Sequence, residues 1–366
     1  MDNRIKHLDG LRGLAIIWVV LYHAFSRWGK IETFKQSELV VELFSFGWLG
    51  VQLFFAVSGY VIYMSLFKSQ NFMMFGLARY LRLAPAMIVA SILLYLTSFY
   101  IVERPLGVAN LQDLLPSLTF VEPGLISKIS GWEVGSLDGA FWSLYVEVKF
   151  YVIVAVLFYL VRDRNLSGLV AIYFFWLLST FLVKVIGIEN EILMMLKKFI
   201  SHFGTRHYGW FLIGVWAYKY HTEPTAKNFS GVLLFSLIAV AVEGRIHGFY
   251  LASLVTASLF IIPLVSIRFQ SVLSSPILLF MGFISYPLYL LHQNIVTGLA
   301  IKLHGFYPEL ASPLYPIPFI ILVIVGAYLL AKLEPKIRHI LKSIVPETCF
   351  GVRLHREKPS TATLAK

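Results

Sequence analysis

The sequence has 366 residues, of which 58% are hydrophobic and 14% are charged. A soluble domain carries about 25% charged and 45–50% apolar residues, so this composition excludes an ordinary soluble protein and indicates a membrane protein. The formal net charge is +11, but the basic residues separate hydrophobic segments instead of forming one stripe, which argues against a nucleic-acid partner.

A transmembrane helix needs about 20 predominantly apolar residues, with a range of about 17–25. About ten segments approach this requirement, and the sixth and seventh are short. We therefore predict an all-α, polytopic integral membrane bundle of about ten transmembrane helices. In chain order the predicted spans are Leu11–Phe25, Gly47–Phe67, Leu77–Ile101, Phe141–Val161, Leu166–Ile186, Tyr208–Tyr218, Phe229–Val242, Phe249–Ile267, Pro276–Ile301 and Leu314–Leu333.

The basic residues predict the orientation of these spans. With the N- and C-termini in the cytoplasm, more of the lysines and arginines between spans fall on the cytoplasmic side, as the positive-inside rule requires. The longest connection, 102–139, then lies outside, and its prolines predict irregular structure over the outer mouth. We expect residues 1–340 to form one membrane domain and residues 341–366 a basic cytoplasmic tail.

The first predicted span carries two ionisable residues that share one face. Arg12 and His23 are eleven residues apart, which is about 20° past three full helical turns, with a rise of roughly 16 Å. Asp9 lies three residues before Arg12 and is close enough to pair with it. Because an ionisable group inside a span is costly, such residues indicate a functional site.

Histidine suits proton abstraction near neutral pH, and arginine suits recognition of phosphate or carboxylate. A ligand with an anionic head and a long arm, such as a coenzyme A thioester, could therefore lie along this face. The structural alternative is that Arg12 reaches back to the membrane interface and His23 makes an ordinary buried hydrogen bond.

Other candidate residues follow along the chain. Arg79 and Arg82 are three apart at the start of the third span, where they could hold phosphates or simply anchor the helix at the interface. Glu147 could orient His23 or pair with Lys149 or a nearby arginine. Ser58 and Gly59 indicate close packing of helices. No spacing of histidine, carboxylate and the single cysteine, Cys349, predicts a metal site.

Five blocks of the sequence resemble the membrane acyltransferase 3 family in the family's order. They are "LDGLRGLAIIWVVLYH", "FFAVSGYVI" (54–62), "ARYLRLAP" (78–85), "FWSLYVEVKFY" (141–151) and "ISYPLYLLHQ" (284–293). The first contains the spacing of an arginine, ten residues and a histidine, and the third contains the Arg-x-x-Arg pair. The match extends over nearly the whole chain.

The resemblance implies an enzyme of the bacterial inner membrane that transfers an acyl group, with acetyl expected first, from cytoplasmic acyl-CoA to a hydroxyl. The expected acceptor is a glycan or a lipid-linked saccharide, membrane lipid surrounds the protein, and a homo-oligomer is allowed. The implied site residues are His23, Arg12 and Glu147 for catalysis and Arg79, Arg82 and Arg12 for acyl-CoA, with no metal.

The sequence also departs from the family pattern. Val148 and Lys149 stand after Glu147, where the family usually has a second acid and a glutamine. Histidine could act as a general base or carry the acyl group itself, and the sequence does not separate these routes. A transporter, in which buried arginine, glutamate and histidine form a proton or substrate path, is the alternative from another functional class.

Overall fold

A computed structural model describes residues 5–28, 36–161, 165–188 and 190–344. Within these ranges the chain forms fifteen α-helices and no strand, as the sequence predicts. They are α1 (Lys6–Phe25), α2 (Glu38–Phe44), α3 (Leu49–Leu66), α4 (Phe72–Ser98), α5 (Leu114–Thr119), α6 (Pro123–Ser130), α7 (Trp142–Val161), α8 (Asn165–Phe181), α9 (Glu191–Ser201), α10 (Tyr208–Thr222), α11 (Ala226–His247), α12 (Tyr250–Val265), α13 (Ile267–Leu273), α14 (Pro276–Phe306) and α15 (Ile317–Ile344).

Eight helical segments of the described chain are long and apolar enough to cross a membrane. A ninth is formed if α12 and α13, which meet at a bend of 117°, are one broken span. The predicted polytopic membrane bundle is therefore confirmed. Cys349 and residues 345–366 of the predicted basic tail lie outside the described residues.

The two short predicted spans differ from expectation in opposite ways. The predicted seventh span is a full helix, α11, which continues past Val242 because the next residue, Glu243, is buried and accepts a hydrogen bond from Arg206. The predicted sixth span, α10, has only 15 residues, or about 22 Å. That is shorter than the roughly 30 Å hydrocarbon core, so α10 is not among the helices of the described chain that are long enough to cross a membrane by themselves.

We call the side on which α1 begins the near side and the opposite side the far side. Helices α1 and α14 run together, with Gly282 of α14 against the backbone of α1: a Cβ built on Gly282 would lie 2.0 Å from the Asp9 carbonyl oxygen. Gly59 of α3 approaches α10 equally closely, 2.0 Å from the Phe211 carbonyl oxygen. The close helix packing predicted at Gly59 is confirmed, and both contacts require the absence of a side chain.

The long connection between α4 and α7 is more ordered than the sequence predicts. It contains α5 and α6, and the buried carboxylate of Asp138 attaches its end to α14 by accepting hydrogen bonds from the backbone N–H groups of Ala140 and Asn294. Burial raises the pKa of Asp138 from 3.8 to about 7, although these two N–H groups and the nearby Arg104 oppose the rise. The prolines of this segment indicated irregular structure, but α6 begins at Pro123, which is a favoured first helical residue.

Candidate active site

An open cavity lies between α1, α3, α4, α7 and α14, with about 680 Å³ of unfilled space that includes the space at its mouth. Three of the predicted site residues, Arg12, Arg82 and Glu147, line it, although they lie far apart in the sequence. Apolar and hydroxyl-bearing side chains complete the wall. They include Phe54, Phe55 and Ser58 of α3, Ser143 and Tyr151 of α7, and Ser285, Tyr286 and Tyr289 of α14. The cavity thus combines two guanidinium groups with one carboxylate in a largely apolar surround.

Glu147 is held by two hydroxyl groups. Ser58 of α3 and Tyr151 of α7 both donate hydrogen bonds to its Oε1 atom. Tyr151 is four residues after Glu147, on the same face of α7, whereas Ser58 comes from another helix. The two hydroxyl donors thus fix the position of the carboxyl group in a cavity that Arg12 and Arg82 also line.

Arg79 does not line this cavity, although it lies one helical turn before Arg82. Its side chain lies in a separate groove between α4 and α7, where its Cζ atom is 5.9 Å from the ring centre of Phe75. Leu83 and Tyr151 contribute to the walls of both spaces and separate them. The structure therefore divides the two arginines that the sequence treats as a pair.

His23 is half-buried and lies beyond the far end of the cavity lining. Its Nδ1 atom is 2.9 Å from the Val19 carbonyl oxygen and 3.1 Å from Nε2 of His292. The Nδ1 atom of His292 is in turn 2.8 Å from the Tyr289 carbonyl oxygen. His292 belongs to the last of the five sequence blocks, 284–293, and its contact with His23 comes from the packing of α14 on α1.

These partners assign the protons of both rings. A carbonyl oxygen only accepts, so the proton of His292 lies on Nδ1, which donates to Tyr289. The Nε2 atom of His292 is then an acceptor, and the Nδ1–H group of His23 donates to it and to the Val19 carbonyl oxygen. In the neutral state this arrangement leaves the lone pair of His23 on Nε2, the form that accepts a proton or attacks a carbonyl carbon.

Tyr289 connects the cavity with this histidine pair. Its ring lines the cavity, lies 6.1 Å from the ring of Phe54 and lies 5.5 Å from the ring of His292. Its hydroxyl group donates to the Ala140 carbonyl oxygen at 2.7 Å and lies 2.7 Å from Oγ of Ser143. One side chain therefore contacts both the cavity that Arg12 lines and the ring of His292.

Lys149, the departure from the family pattern, makes a contact of its own. Its Nζ atom forms an ion pair with Glu122, the residue before α6, and donates to the His202 carbonyl oxygen at 2.6 Å. His202 also lies 2.8 Å from Glu122 through its Nε2 atom. Lys149 thus attaches the long far-side connection to α7 and to the end of α9, and it does not pair with Glu147.

A second polar group lies at the far-side ends of α3, α7 and α10. His207 is buried next to the ring of Trp142, at 5.2 Å, and its Nδ1 atom is 3.3 Å from the amide nitrogen of Gln52. Burial, with a smaller effect of Arg206 and His247, lowers the pKa of His207 from 6.5 to about 3. Its ring is therefore neutral at pH 7. The described residues contain no group of three or more metal-ligating side chains.

Comparison with known proteins agrees with this architecture. A family model described as an acyltransferase domain, that of acyltransferase 3, matches residues 5–332. A protein of Staphylococcus aureus strain COL named "Putative O-acetyltransferase" is 25% identical over 346 residues, which cover 85% of this chain and 53% of the relative. "O-acetyltransferase OatA" of strain NCTC 8325 is 25% identical over 351 residues, which cover 84% and 52%.

The chain therefore spans about half the length of these curated relatives. No solved structure matches it. The family match covers most of the chain, including the helices that bring Arg12, Arg82, Glu147, His23 and His292 together. The chain belongs to the acyltransferase 3 family.

Proposed function

We propose that the protein is an O-acyltransferase of a bacterial cytoplasmic membrane, with its N-terminus in the cytoplasm. It moves an acyl group, acetyl first, from acyl-CoA to a hydroxyl of a glycan or a lipid-linked saccharide. Support comes from the family match and from relatives whose names state O-acetyl transfer. The observation that carries the proposal is the contact of Nδ1 of His23 with Val19 and His292, which assigns the lone pair to Nε2, beyond a cavity that two arginines line.

Acyl-CoA enters the cavity from the near side in this mechanism. Arg12 and Arg82 line the cavity and hold the phosphates of the coenzyme, because a guanidinium group forms two parallel hydrogen bonds with an anion of this shape. Glu147 lines the same cavity, and its negative charge limits the repulsion between the two guanidinium groups. The arm of the coenzyme then passes Phe54 and Tyr289 and brings the thioester to His23.

His23 acts as the general base. Its Nε2 atom takes the proton of the acceptor hydroxyl, the hydroxyl oxygen bonds to the thioester carbon, and the bond from that carbon to sulfur breaks. The thiolate leaves and receives the proton from the imidazolium ring. Positioned general-base catalysis of this kind contributes about 10²–10⁴-fold to the rate.

His292 is a positioning residue for this step. When His23 becomes positively charged, its Nδ1–H group still donates to Nε2 of His292, and this hydrogen bond strengthens as the charge develops. An alternative route, in which Nε2 of His23 takes the acyl group and passes it to the hydroxyl, uses the same lone pair and the same partner.

The test is acyl transfer by purified, membrane-reconstituted protein. With acetyl-CoA and a hydroxyl acceptor, wild-type protein is expected to release free thiol, and His23→Ala is expected to lose this activity while remaining folded. Arg245→Ala, at an exposed position near the far-side end of α11, is the control for removal of a charged residue. Normal thiol release by His23→Ala would refute the role of the histidine. Solute flux without thiol release would instead indicate a transporter.

A further inference from the structure

The groove that contains Arg79 has no role in the mechanism above. It lies between α4 and α7, with about 640 Å³ of unfilled space that includes the open space along its rim. Phe72, Phe75 and Gly76 of α4 form one wall, and Val148, Val152 and Ala155 of α7 form the other. Three hydroxyl-bearing residues, Tyr80, Thr119 and Tyr151, also line the groove, so its surface is mostly apolar and Arg79 is the charged residue among those that line it.

The groove opens toward the outside of the bundle. Phe72 and Val152 on its rim are 45% and 46% exposed, and Gly76 is exposed with no atom within 4 Å of a Cβ built on it. Since α4 and α7 are membrane spans, the space outside this rim is occupied by lipid. A hydrocarbon chain can therefore enter the groove sideways.

Arg79 supplies a positive charge that the protein leaves incompletely bonded. In the described chain its Nε and Nη1 atoms are buried and have no hydrogen-bond partner. Arg79 lies seven residues after Phe72, about 10 Å farther along α4. Helical side chains lean toward the N-terminus, so the guanidinium group reaches back toward the near-side interface, where lipid phosphates lie.

The far end of the groove is closed by a strained residue. Phe120 is the one non-glycine residue of the described chain with a positive φ, at 58°, a conformation that costs energy for a phenylalanine. Its ring is 5.9 Å from that of Tyr80, whose hydroxyl donates to the Leu118 carbonyl oxygen at 3.3 Å. These contacts therefore keep the ring of Phe120 in the wall of the groove despite its unfavourable backbone conformation.

We propose that this groove binds an anionic membrane lipid, with one hydrocarbon chain between α4 and α7 and the phosphate on Arg79. The charge of Arg79 selects an anion, and the apolar walls and lateral opening select a lipid over a soluble phosphate. The lipid then shares the side chains of Leu83 and Tyr151 with the central cavity, so its presence supports the wall on which Glu147 is bonded. This inference does not depend on the proposed function.

Native mass spectrometry of the purified full chain tests the site. Delipidated protein is titrated with dioleoyl-phosphatidylglycerol, which is anionic, or dioleoyl-phosphatidylcholine, which is zwitterionic. Wild type is expected to retain one phosphatidylglycerol molecule preferentially. Gly76→Phe fills the groove and is expected to lose that molecule, and Arg79→Gln is expected to lower the preference about fivefold, the effect of one basic residue on an anionic lipid.

Two variants of α4 serve as controls. Gly76→Ala tests the change in helix propensity without filling the groove, and Ala78→Phe adds the same large ring to an exposed position outside it. Both are expected to retain the lipid. Ala155→Phe fills the groove from α7 and gives a second measurement if Gly76→Phe does not fold.

Unchanged phosphatidylglycerol binding by Gly76→Phe and Ala155→Phe would overturn the proposal, as would an unchanged lipid preference in Arg79→Gln. If the filled variants kept the lipid and instead altered the acyl-chain length accepted from acyl-CoA, the occupant would be the donor's chain. Lipid binding by a protein without acyl transfer would support this site and refute the proposed function. The two conclusions are therefore separable.

Discussion

Replacement of His292 gives the most direct test of how His23 is prepared for catalysis. His292→Leu keeps most of the side-chain volume but removes the nitrogen that lies 3.1 Å from Nδ1 of His23. The Val19 carbonyl oxygen, at 2.9 Å, remains as an acceptor, so His23 keeps one partner of two. We expect reduced activity with His23 still present and correctly protonated.

The size of the effect follows from the hydrogen bond that is lost. A hydrogen bond to a charged group contributes about 1.5–3 kcal/mol, which corresponds to a rate loss of roughly 10- to 150-fold. The imidazolium ion forms in the transition state and not in the enzyme–substrate complex. The loss is therefore expected in kcat, with KM for acetyl-CoA nearly unchanged.

Steady-state thiol release from acetyl-CoA measures both constants. His292→Gln offers an amide oxygen as acceptor and is expected to recover part of the lost rate, which a residue that only fills space would not do. His304→Leu, on the same helix, is the control. If His292→Leu retained kcat within about twofold of wild type, or if it raised KM alone, the assignment of His292 would be wrong.

The remaining predictions concern the cavity and the far-side connection. Arg82→Ala should raise KM for acetyl-CoA by about tenfold or more, because a charge-assisted hydrogen bond to phosphate is lost; an unchanged KM would contradict phosphate binding. Ser58→Ala should lower the thermal midpoint by a few degrees, because Glu147 loses one of its two hydroxyl donors, and equal midpoints would show that this bond adds nothing. The pKa of Asp138 is raised from 3.8 to about 7 in the fold, so its contribution to stability is fully present below 3.8, declines as the pH rises toward 7 and is lost above it. The thermal midpoint should therefore fall between pH 5 and 7 in wild type, and this dependence should be weaker in Asp138→Asn.

The sequence was sufficient to predict an all-helical membrane protein with many spans. Long apolar segments predict spans because the hydrocarbon core requires every backbone group to be bonded within a helix. The same reasoning placed the end of α11 too early, at Val242, because Glu243 resembles a residue that leaves the membrane. Only the contact between Glu243 and Arg206, 37 residues away, reveals why the helix continues.

Prediction of the candidate site was also limited, because several of its contacts join residues that are far apart in the sequence. Helical periodicity could relate Tyr151 to Glu147, four residues apart, but no periodicity could bring Ser58 to the same carboxylate. The Arg-x-x-Arg spacing suggested a joint role for Arg79 and Arg82. A residue spacing of three rotates a helix by about 300°, and that 60° difference is enough for Leu83 and Tyr151 to stand between the two.

The shortness of α10 determines where its far end lies relative to the neighbouring helix α11. Helices α10 and α11 are joined by a connection of three residues, 223–225, so both start from the same level on the near side. At about 1.5 Å per residue, 15 and 22 residues give lengths of about 22 and 33 Å. The far end of α10 therefore stops about 10 Å below that of its neighbour.

Arg206 and His207 lie at that lower level, with Gln52 beside them. Gln52 and His207 are both buried, so the polar groups at this level are enclosed by neighbouring helices and not by lipid. The short helix thereby keeps its polar end inside the protein, where α3 and α7 supply its neighbours.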